Sequence, residues 1–174
     1  MAPQALSGVV LVGGASRRFG SPKALAHIDG ETFVDRARRI LREVCDEVLV
    51  VGKAGELPFD VIDDASEVRA PIAGVVAGLH AAANDVVVFL PVDCPRITPE
   101  VVRALGEACR DAAVPQTGPL PGAWAKSALP VLEHRLAHGP LALYRAYEDL
   151  DVARLEIDPQ LLADVDTPRE LESL

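Results

Sequence analysis

The chain has 174 residues, of which 49% are hydrophobic and 25% are charged. No stretch approaches the roughly 20 consecutive apolar residues that a membrane span requires, so the composition favours a globular protein over a disordered or membrane-spanning one. The formal net charge of −9 disfavours a nucleic-acid partner, because contact with a phosphate backbone requires clustered Lys and Arg side chains.

The first part of the chain alternates predicted strands and helices. A short apolar run, Gly8–Val12, predicts a buried strand that ends at two glycines. Thr32 and Asp35 have the spacing of a capping box, and apolar residues follow them at helical intervals, which predicts a helix. Further β-branched runs predict strands at 48–51, 59–62 and 86–90, with helical stretches at 72–83 and 99–109.

The last third of the chain is less regular. Residues 115–121 predict a loop rich in Pro and Gly, followed by helices at 129–138 and 141–150, and Thr167 begins a capping box for a short final helix. Trp124 belongs to the same loop region, where it would either stack on the flat ring of a ligand or pack the loop against the core.

This alternation predicts an α/β fold with a mostly parallel sheet and helices on both faces. No internal repeat or long linker divides the chain, so we expect one domain over residues 1–174. In such a fold the ligand crevice lies at the carboxyl ends of the strands, where the strand order reverses. The loops that follow the strands are therefore the candidate functional segments.

Cysteine usage and the N-terminus predict a cytoplasmic protein. Cys45, Cys94 and Cys109 are odd in number and widely spaced, as is typical of reduced thiols and not of a disulfide framework or zinc site. The first residues lack the charged start and apolar stretch of a secretory signal.

The loop after the first strand has the composition of a phosphate-binding loop. Residues 13–23, GGASRRFGSPK, combine three glycines with two arginines, two serines and a lysine. Glycines let backbone N–H groups converge on phosphate oxygens, and Arg17 and Lys23 neutralise the charge of a triphosphate. The spacing matches neither the P-loop pattern G-x-x-x-x-G-K-S/T nor the dinucleotide pattern G-x-G-x-x-G. Both of those site classes are excluded.

Asp93 is the candidate metal ligand. It follows the most apolar strand and stands between Pro91 and Pro95, at the position where a carboxylate holds Mg²⁺ against bound phosphates. A role as a helix cap is less favoured, because Thr98 and Pro99 already provide the start of the next helix.

The histidines are interpreted as surface residues and not as catalytic groups. If the loop and Asp93 serve transfer between phosphate compounds, the reaction requires positioning and charge neutralisation more than a protein base, because a phosphate nucleophile is already an anion. His27 and His80 are isolated in sequence. His134 and His138 are four residues apart on a predicted helix, but they lack the glutamate of the H-E-x-x-H pattern and a third ligand.

Four blocks of the sequence resemble one family, in that family's order. Residues 11–25, LVGGASRRFGSPKAL, are similar to the L-A-G-G-x-S-x-R-M-G-x-D-K-A-L signature of molybdenum cofactor guanylyltransferases, the MobA-like group. The other blocks are residues 71–79, which resemble P-L-A-G-L, 90–95, which resemble P-x-D-x-P, and 164–171, which resemble N-x-N-T-P-E-E-L. Together the blocks extend over nearly the whole chain.

The resemblance implies a Rossmann-like nucleotidyltransferase that uses Mg²⁺ to move GMP from GTP onto the phosphate of molybdopterin. The implied catalytic residues are Arg17, Lys23 and Asp93, with Arg17 and Lys23 at the phosphates. Backbone at Leu11, Val12 and Gly13 is implied to read the base, and the remaining implied nucleotide contacts are Gly14, Lys23, Asp64, Gly74 and Asp93. Transient contact with molybdoenzyme-maturation proteins is also implied.

Three departures from the family pattern leave the base and the acceptor open. Pro22 replaces the aspartate that usually precedes the lysine, Gly52 stands where a nucleotide-contacting asparagine is common, and Asp164 and Asp166 replace two asparagines. Because neighbouring carboxylates need a cation between them to ionise together, we predict that Asp166 is a second Mg²⁺ ligand. The other interpretation of this pair is that it stabilises the N-terminal end of the last helix.

The alternatives are a relative that uses CTP or another triphosphate, or that transfers to cobinamide, isoprenoid precursors or sugar phosphates. From other classes, we consider a non-catalytic nucleotide-binding protein and a nicotinamide-dependent oxidoreductase. Retention of Lys23 and Asp93 argues against the non-catalytic protein, and the missing dinucleotide fingerprint argues against the oxidoreductase.

Overall fold

The computed structural model of the chain describes residues 4–13, 22–53 and 57–174. Within these ranges the strands are β1 (Leu6–Leu11), β2 (His27–Ile28), β3 (Glu31–Thr32), β4 (Glu47–Gly52), β5 (Ile62–Asp63), β6 (Val86–Pro91), β7 (Ala112–Pro115), β8 (Gly122–Ala125) and β9 (Val152–Leu155). The α-helices are α1 (Phe33–Arg42), α2 (Pro71–Ala81), α3 (Pro99–Ala108), α4 (Leu129–His138) and α5 (Pro168–Glu172).

One mixed sheet organises the described part of the chain. Its strand order is β5-β4-β1-β6-β8-β7-β9, and β8 runs antiparallel to both of its neighbours while the other neighbouring pairs are parallel. The chain passes from β1 outward to β4 and β5 and then returns to β6 on the other side of β1, so the strand order reverses at β1. The predicted mostly parallel α/β fold is confirmed.

Helices cover both faces of this sheet, as predicted. Successive residues of β1 point to opposite faces: Val9 packs in one hydrophobic cluster and Val10 in the other. Buried residues of α1 and α3 share the cluster of Val10, whereas buried residues of α2 and α4 share that of Val9. Strands buried on both faces read as continuous apolar runs, which explains why β1, β4 and β6 were predictable.

The structure corrects the prediction for the last third of the chain. The predicted loop at 115–121 connects β7 and β8, two strands that were not predicted, and the predicted helix at 141–150 is a 3₁₀ helix, Leu143–Asp149. The strand predicted at 59–62 overlaps the two-residue strand β5 only at Ile62. Trp124 lies on β8 with none of its surface exposed, so of its two proposed roles the structure supports packing against the core and not stacking on a ligand. It packs in the core against the ring of Tyr147.

A short hairpin precedes α1. β2 and β3 pair antiparallel through a two-residue turn, Asp29-Gly30, whose φ angles are 52° and 79°. Asp-Gly suits this turn because both central residues must take positive φ values. Thr32 then begins α1, and its hydroxyl oxygen accepts a hydrogen bond from the Asp35 amide.

No helix in the described ranges is both long enough and apolar enough to cross a membrane.

Candidate active site at the carboxyl edge of the sheet

Three neighbouring strands end together and define the edge at which the predicted functional loops begin. Leu11, the last residue of β1, pairs with Val51 of β4 on one side and with Pro91 of β6 on the other. Main-chain hydrogen bonds continue past the end of β1, from the Val12 amide to the Val51 carbonyl over 3.0 Å and from the Val92 amide to the Leu11 carbonyl over 3.1 Å. The loop after β1 and the loop that carries Asp93 therefore leave the sheet side by side.

Lys23, Asp93 and Asp166 meet at this edge. The Lys23 ammonium donates to Asp166 Oδ1 over 2.7 Å and to Asp93 Oδ2 over 3.4 Å. Lys23 belongs to a 3₁₀ turn, Lys23–Leu25, whose central residue Ala24 is buried in the core and anchors the turn. The side chain of Lys23 is 15% exposed and that of Asp93 is 27% exposed, so the contact is partly shielded from solvent.

A third carboxylate, that of Asp164, joins the two carboxylates predicted as metal ligands. One oxygen each from Asp93, Asp164 and Asp166 lies within 4.8 Å of the other two. Hard carboxylate oxygens are the ligands that Mg²⁺ takes in proteins, so the donor set fits this ion. The prediction named Asp166 alone of the C-terminal pair, whereas the structure brings both members to Asp93.

The capping box of α5 positions Asp166. Glu170 Oε2 accepts hydrogen bonds from the Asp166 amide over 2.6 Å and from the Thr167 amide over 3.0 Å. In return, the Thr167 hydroxyl accepts from the Glu170 amide over 3.2 Å, so the predicted capping box is confirmed. Because Thr167 and Glu170 complete the cap, the carboxylate of Asp166 is available to contact Lys23.

Burial and neighbouring charges shift the pKa values of Asp93 and Lys23. Burial raises the pKa of the Asp93 carboxyl, with Lys23 opposing the shift and Asp164 adding to it. Burial lowers the pKa of Lys23, but its hydrogen bond to Asp166 and the charge of Asp93 outweigh this, so the net shift is upward. The lysine is thus a firmly protonated cation beside a carboxylate that burial makes costly to ionise.

Close packing explains why glycine occupies positions 52 and 74, near the residues predicted to contact the nucleotide. A Cβ atom on Gly74, in α2, would stand 2.9 Å from Leu11 Cδ2. A Cβ on Gly52 would stand 2.7 Å from Val12 Cγ2 and 3.0 Å from the Gly13 nitrogen. The end of β4 therefore lies against the backbone of residues 12–13, and Val12 fills the space that a larger side chain at position 52 would need.

Asp64 lies apart from the Asp93 cluster and is held by local contacts. Its Oδ1 accepts hydrogen bonds from the Lys53 ammonium and from the Ser66 amide. Its side chain is 10% exposed. Lys53 was not predicted as a site residue, because a lone lysine after a strand carries no distinguishing pattern. A nucleotide contact of Asp64 stays a prediction, as do those of Leu11, Val12, Gly13 and Gly74.

Two predicted site residues, Gly14 and Arg17, lie outside the described residues. Among the residues that are described, the histidines contribute nothing to the cluster that fits a metal. His134 and His138 stack on each other with ring centroids 4.7 Å apart on the exposed side of α4, and His80 contacts Glu133. Their interpretation as surface residues agrees with these positions.

The fold and the site define a class. A mostly parallel sheet whose strand order reverses at β1, with a carboxylate and a lysine at the carboxyl edge, belongs to the open α/β proteins that bind their ligands at this edge. Within that class, residues 8–152 match the family described as the MobA-like NTP transferase domain. The chain belongs to this family and is a nucleotidyltransferase.

Similar sequences carry consistent names. The chain is 28% identical to the molybdenum cofactor guanylyltransferase of Desulfosudis oleivorans, over 97% of this chain and 93% of that protein. It is 32% identical to a protein of Rhodopirellula baltica named "Probable molybdenum cofactor guanylyltransferase", over 98% of this chain and 92% of that protein.

Solved structures share the fold. Molybdopterin-guanine dinucleotide biosynthesis protein A from Archaeoglobus fulgidus is 24% identical and superimposes with a TM-score of 0.78, covering 96% of this chain and 95% of that one. The 2-C-methyl-D-erythritol 4-phosphate cytidylyltransferase of Thermus thermophilus is 19% identical, with a TM-score of 0.75 and 95% coverage of both chains. At these identities the likeness concerns the fold alone, which cytidylyl and guanylyl enzymes share.

Proposed function

We propose that this nucleotidyltransferase moves GMP from GTP to the phosphate of a molybdopterin-type acceptor, in a reaction that depends on Mg²⁺. The observation that carries the proposal is the contact of Lys23 with Asp93 and Asp166 at the edge where the loops after β1 and β6 emerge. The names of the relatives that match most of the chain support the choice of GTP and molybdopterin.

In the proposed reaction, an oxygen of the acceptor phosphate attacks the α-phosphorus of GTP. The bond from this phosphorus to the bridging oxygen of the β-phosphate breaks, and pyrophosphate leaves with the electron pair. Lys23 and Arg17 would bind the triphosphate and offset the charge that develops on the leaving group. Mg²⁺ bound to Asp93 and Asp166 would supply further charge neutralisation at the phosphates.

The base would be bound by the backbone of Leu11, Val12 and Gly13, with Gly14, Asp64 and Gly74 completing the nucleotide contacts. The Val12 amide already donates to the Val51 carbonyl, so the Val12 carbonyl and the Gly13 backbone, beside the close-packed Gly52, are the groups proposed to contact the base. No protein base is needed, because the acceptor phosphate is already ionised at neutral pH. In-line geometry and charge neutralisation then supply the rate enhancement.

Pyrophosphate release tests this proposal directly. The purified chain is incubated with GTP, CTP or ATP, with and without Mg²⁺, and with and without molybdopterin. We expect release only when GTP, Mg²⁺ and molybdopterin are all present. Release with CTP in place of GTP would identify a cytidylyltransferase of the same fold, and binding of GTP without turnover in the complete mixture would indicate a non-catalytic nucleotide-binding protein.

A further inference from the structure

We infer that Lys23 has a second role in the nucleotide-free protein, in which its ammonium group is the counter-ion of Asp93 and Asp166. When the substrate binds, a divalent cation replaces this ammonium group at the carboxylate oxygens. The inference rests on the proposed function, since it concerns the same Mg²⁺ site. It goes further in assigning Lys23 two alternating partners, first the carboxylates and then the triphosphate.

The contact distances support competition for the same oxygens. Lys23 Nζ is 2.7 Å from Asp166 Oδ1 and 3.4 Å from Asp93 Oδ2, so it lies against both predicted metal ligands. A Mg²⁺ ion binds carboxylate oxygens at about 2.0–2.1 Å and requires their lone pairs for itself. An ammonium group hydrogen-bonded to the same oxygens would also repel the ion through like charge. A Mg²⁺ ion at these two oxygens and the Lys23 ammonium group would therefore compete with each other.

The fold fixes the backbone of Lys23 and leaves its ammonium group able to move. The backbone is held by the 3₁₀ turn, in which the Leu25 amide donates to the Pro22 carbonyl and the Ala26 amide to the Lys23 carbonyl, each over 3.0 Å. Ala24 anchors this turn in the core. A four-carbon side chain on a fixed backbone is able to swing its ammonium group without any change in the main chain.

Repulsion among three neighbouring carboxylates favours the replacement of Lys23 by a divalent cation. With Lys23 in place, its positive charge lies against two carboxylates of the cluster formed by Asp93, Asp164 and Asp166. If Lys23 moves to the triphosphate, the cluster loses this charge, and a divalent ion held by the carboxylates would replace it. Nucleotide and metal should then bind cooperatively, because each removes an obstacle to the other.

Calorimetric titration with Mn²⁺, a spherical divalent probe, tests the exchange without any measurement of activity. We compare the wild-type protein with Lys23→Met, which removes the ammonium group, and with Lys23→Arg, which keeps the charge. The matched control is Arg110→Met, which removes one positive charge from the opposite edge of the sheet, where Arg110 pairs with Asp151. Thermal melts establish that each variant is folded.

In nucleotide-free protein we expect Lys23→Met to bind Mn²⁺ about tenfold more tightly than the wild type, because one charge-assisted contact no longer competes. Arg110→Met should match the wild type, and Lys23→Arg should bind no more tightly than the wild type. A non-hydrolysable GTP analogue should tighten Mn²⁺ binding more in the wild type than in Lys23→Met, since only the wild type has a lysine to release.

Equal or weaker Mn²⁺ binding by folded Lys23→Met would overturn the exchange, and so would an equal effect of the analogue on both proteins. Either result leaves the proposed function standing if the wild type still releases pyrophosphate in a Mg²⁺-dependent way. Failure of that release would instead count against the proposed function.

Discussion

The backbone amide of Val165 donates a hydrogen bond to the carbonyl oxygen of Asp93 over 2.9 Å. This bond attaches the segment before α5 to the loop that follows β6. The Val165 side chain is buried in the core and holds the segment from the other side. Since Asp164 and Asp166 flank Val165, the main chain brings both carboxylates beside Asp93. The geometry of the site is thus fixed by backbone contacts and not by the carboxylates themselves.

Asp93→Ala is expected to abolish turnover and leave the fold intact. The substitution removes a proposed metal ligand at a loop, and the Val165 bond uses the Asp93 backbone, which remains. We expect pyrophosphate release to fall by at least about a hundredfold, in the range found when a charge-stabilising active-site group is lost. A folded Asp93→Ala protein with near-normal Mg²⁺-dependent turnover would contradict the assignment.

Asp93→Asn is expected to stabilise the protein at neutral pH when divalent cations are absent. Burial raises the folded-state pKa of Asp93 above its ordinary value of 3.8. A raised carboxyl pKa contributes stability below the unfolded pKa, and this stability is lost as the pH rises through the folded pKa. At pH 7 the ionised carboxylate therefore costs stability, and asparagine avoids this cost.

Thermal melts in EDTA across pH provide the measurement. The melting temperature of Asp93→Asn should exceed that of the wild type at pH 7, and the difference should shrink as the pH falls toward the unfolded pKa of about 3.9. A variant that is less stable than the wild type at pH 7 would show that the Lys23 contact outweighs the burial of the charge.

The strands that were predicted from the sequence differ in composition from the strands that were not. β1, β4 and β6 each contain a run of Val, Leu or Phe that is mostly buried, a pattern that identifies central parallel strands. β7 and β8 are AAVP and GAWA, in which small residues weaken the strand signal, and proline and glycine between them suggest a loop. Their pairing with each other and with β6 and β9 is decided by tertiary packing.

The sequence was enough to predict which residues belong to the candidate site, but not which of them contact each other. Loop composition and position after a strand single out Lys23 and Asp93 in the sequence. The hydrogen bond of Lys23 to Asp166 joins residues 143 positions apart, and no local pattern reports it. The inclusion of Asp164 in the cluster likewise follows from the Val165 bond, which sequence periodicity does not encode.

Gly52→Asn, which introduces the asparagine common in the family, is expected to destabilise this chain. A Cβ at position 52 would stand 2.7 Å from Val12 Cγ2 and 3.0 Å from the Gly13 nitrogen. Overpacking of this type costs about 1–3 kcal/mol. Because the clash arises at the Cβ, Gly52→Ala should lose comparable stability in denaturant melts.

A double variant identifies the cause of that loss. Val12→Ala removes Cγ2, so Gly52→Asn combined with Val12→Ala should be destabilised less than the sum of the two single changes. Strict additivity of the unfolding free energies would assign the loss to something other than the Val12 contact.

Asp166→Asn distinguishes a metal ligand from a helix-stabilising charge, because it keeps the shape and restores the amide common in the family. The capping box of α5 is complete without the Asp166 side chain, so the helix role predicts a loss of only about 0.3–1 kcal/mol in stability. The metal role predicts that about tenfold more Mg²⁺ is needed for half-maximal turnover. We expect the second result, since the Asp166 carboxylate points to Lys23 at 2.7 Å, beside Asp93.

Asp164→Asn in the same titration measures the contribution of the other carboxylate. An unchanged Mg²⁺ titration for Asp166→Asn, with normal transfer to the acceptor, would rule out Asp166 as a ligand.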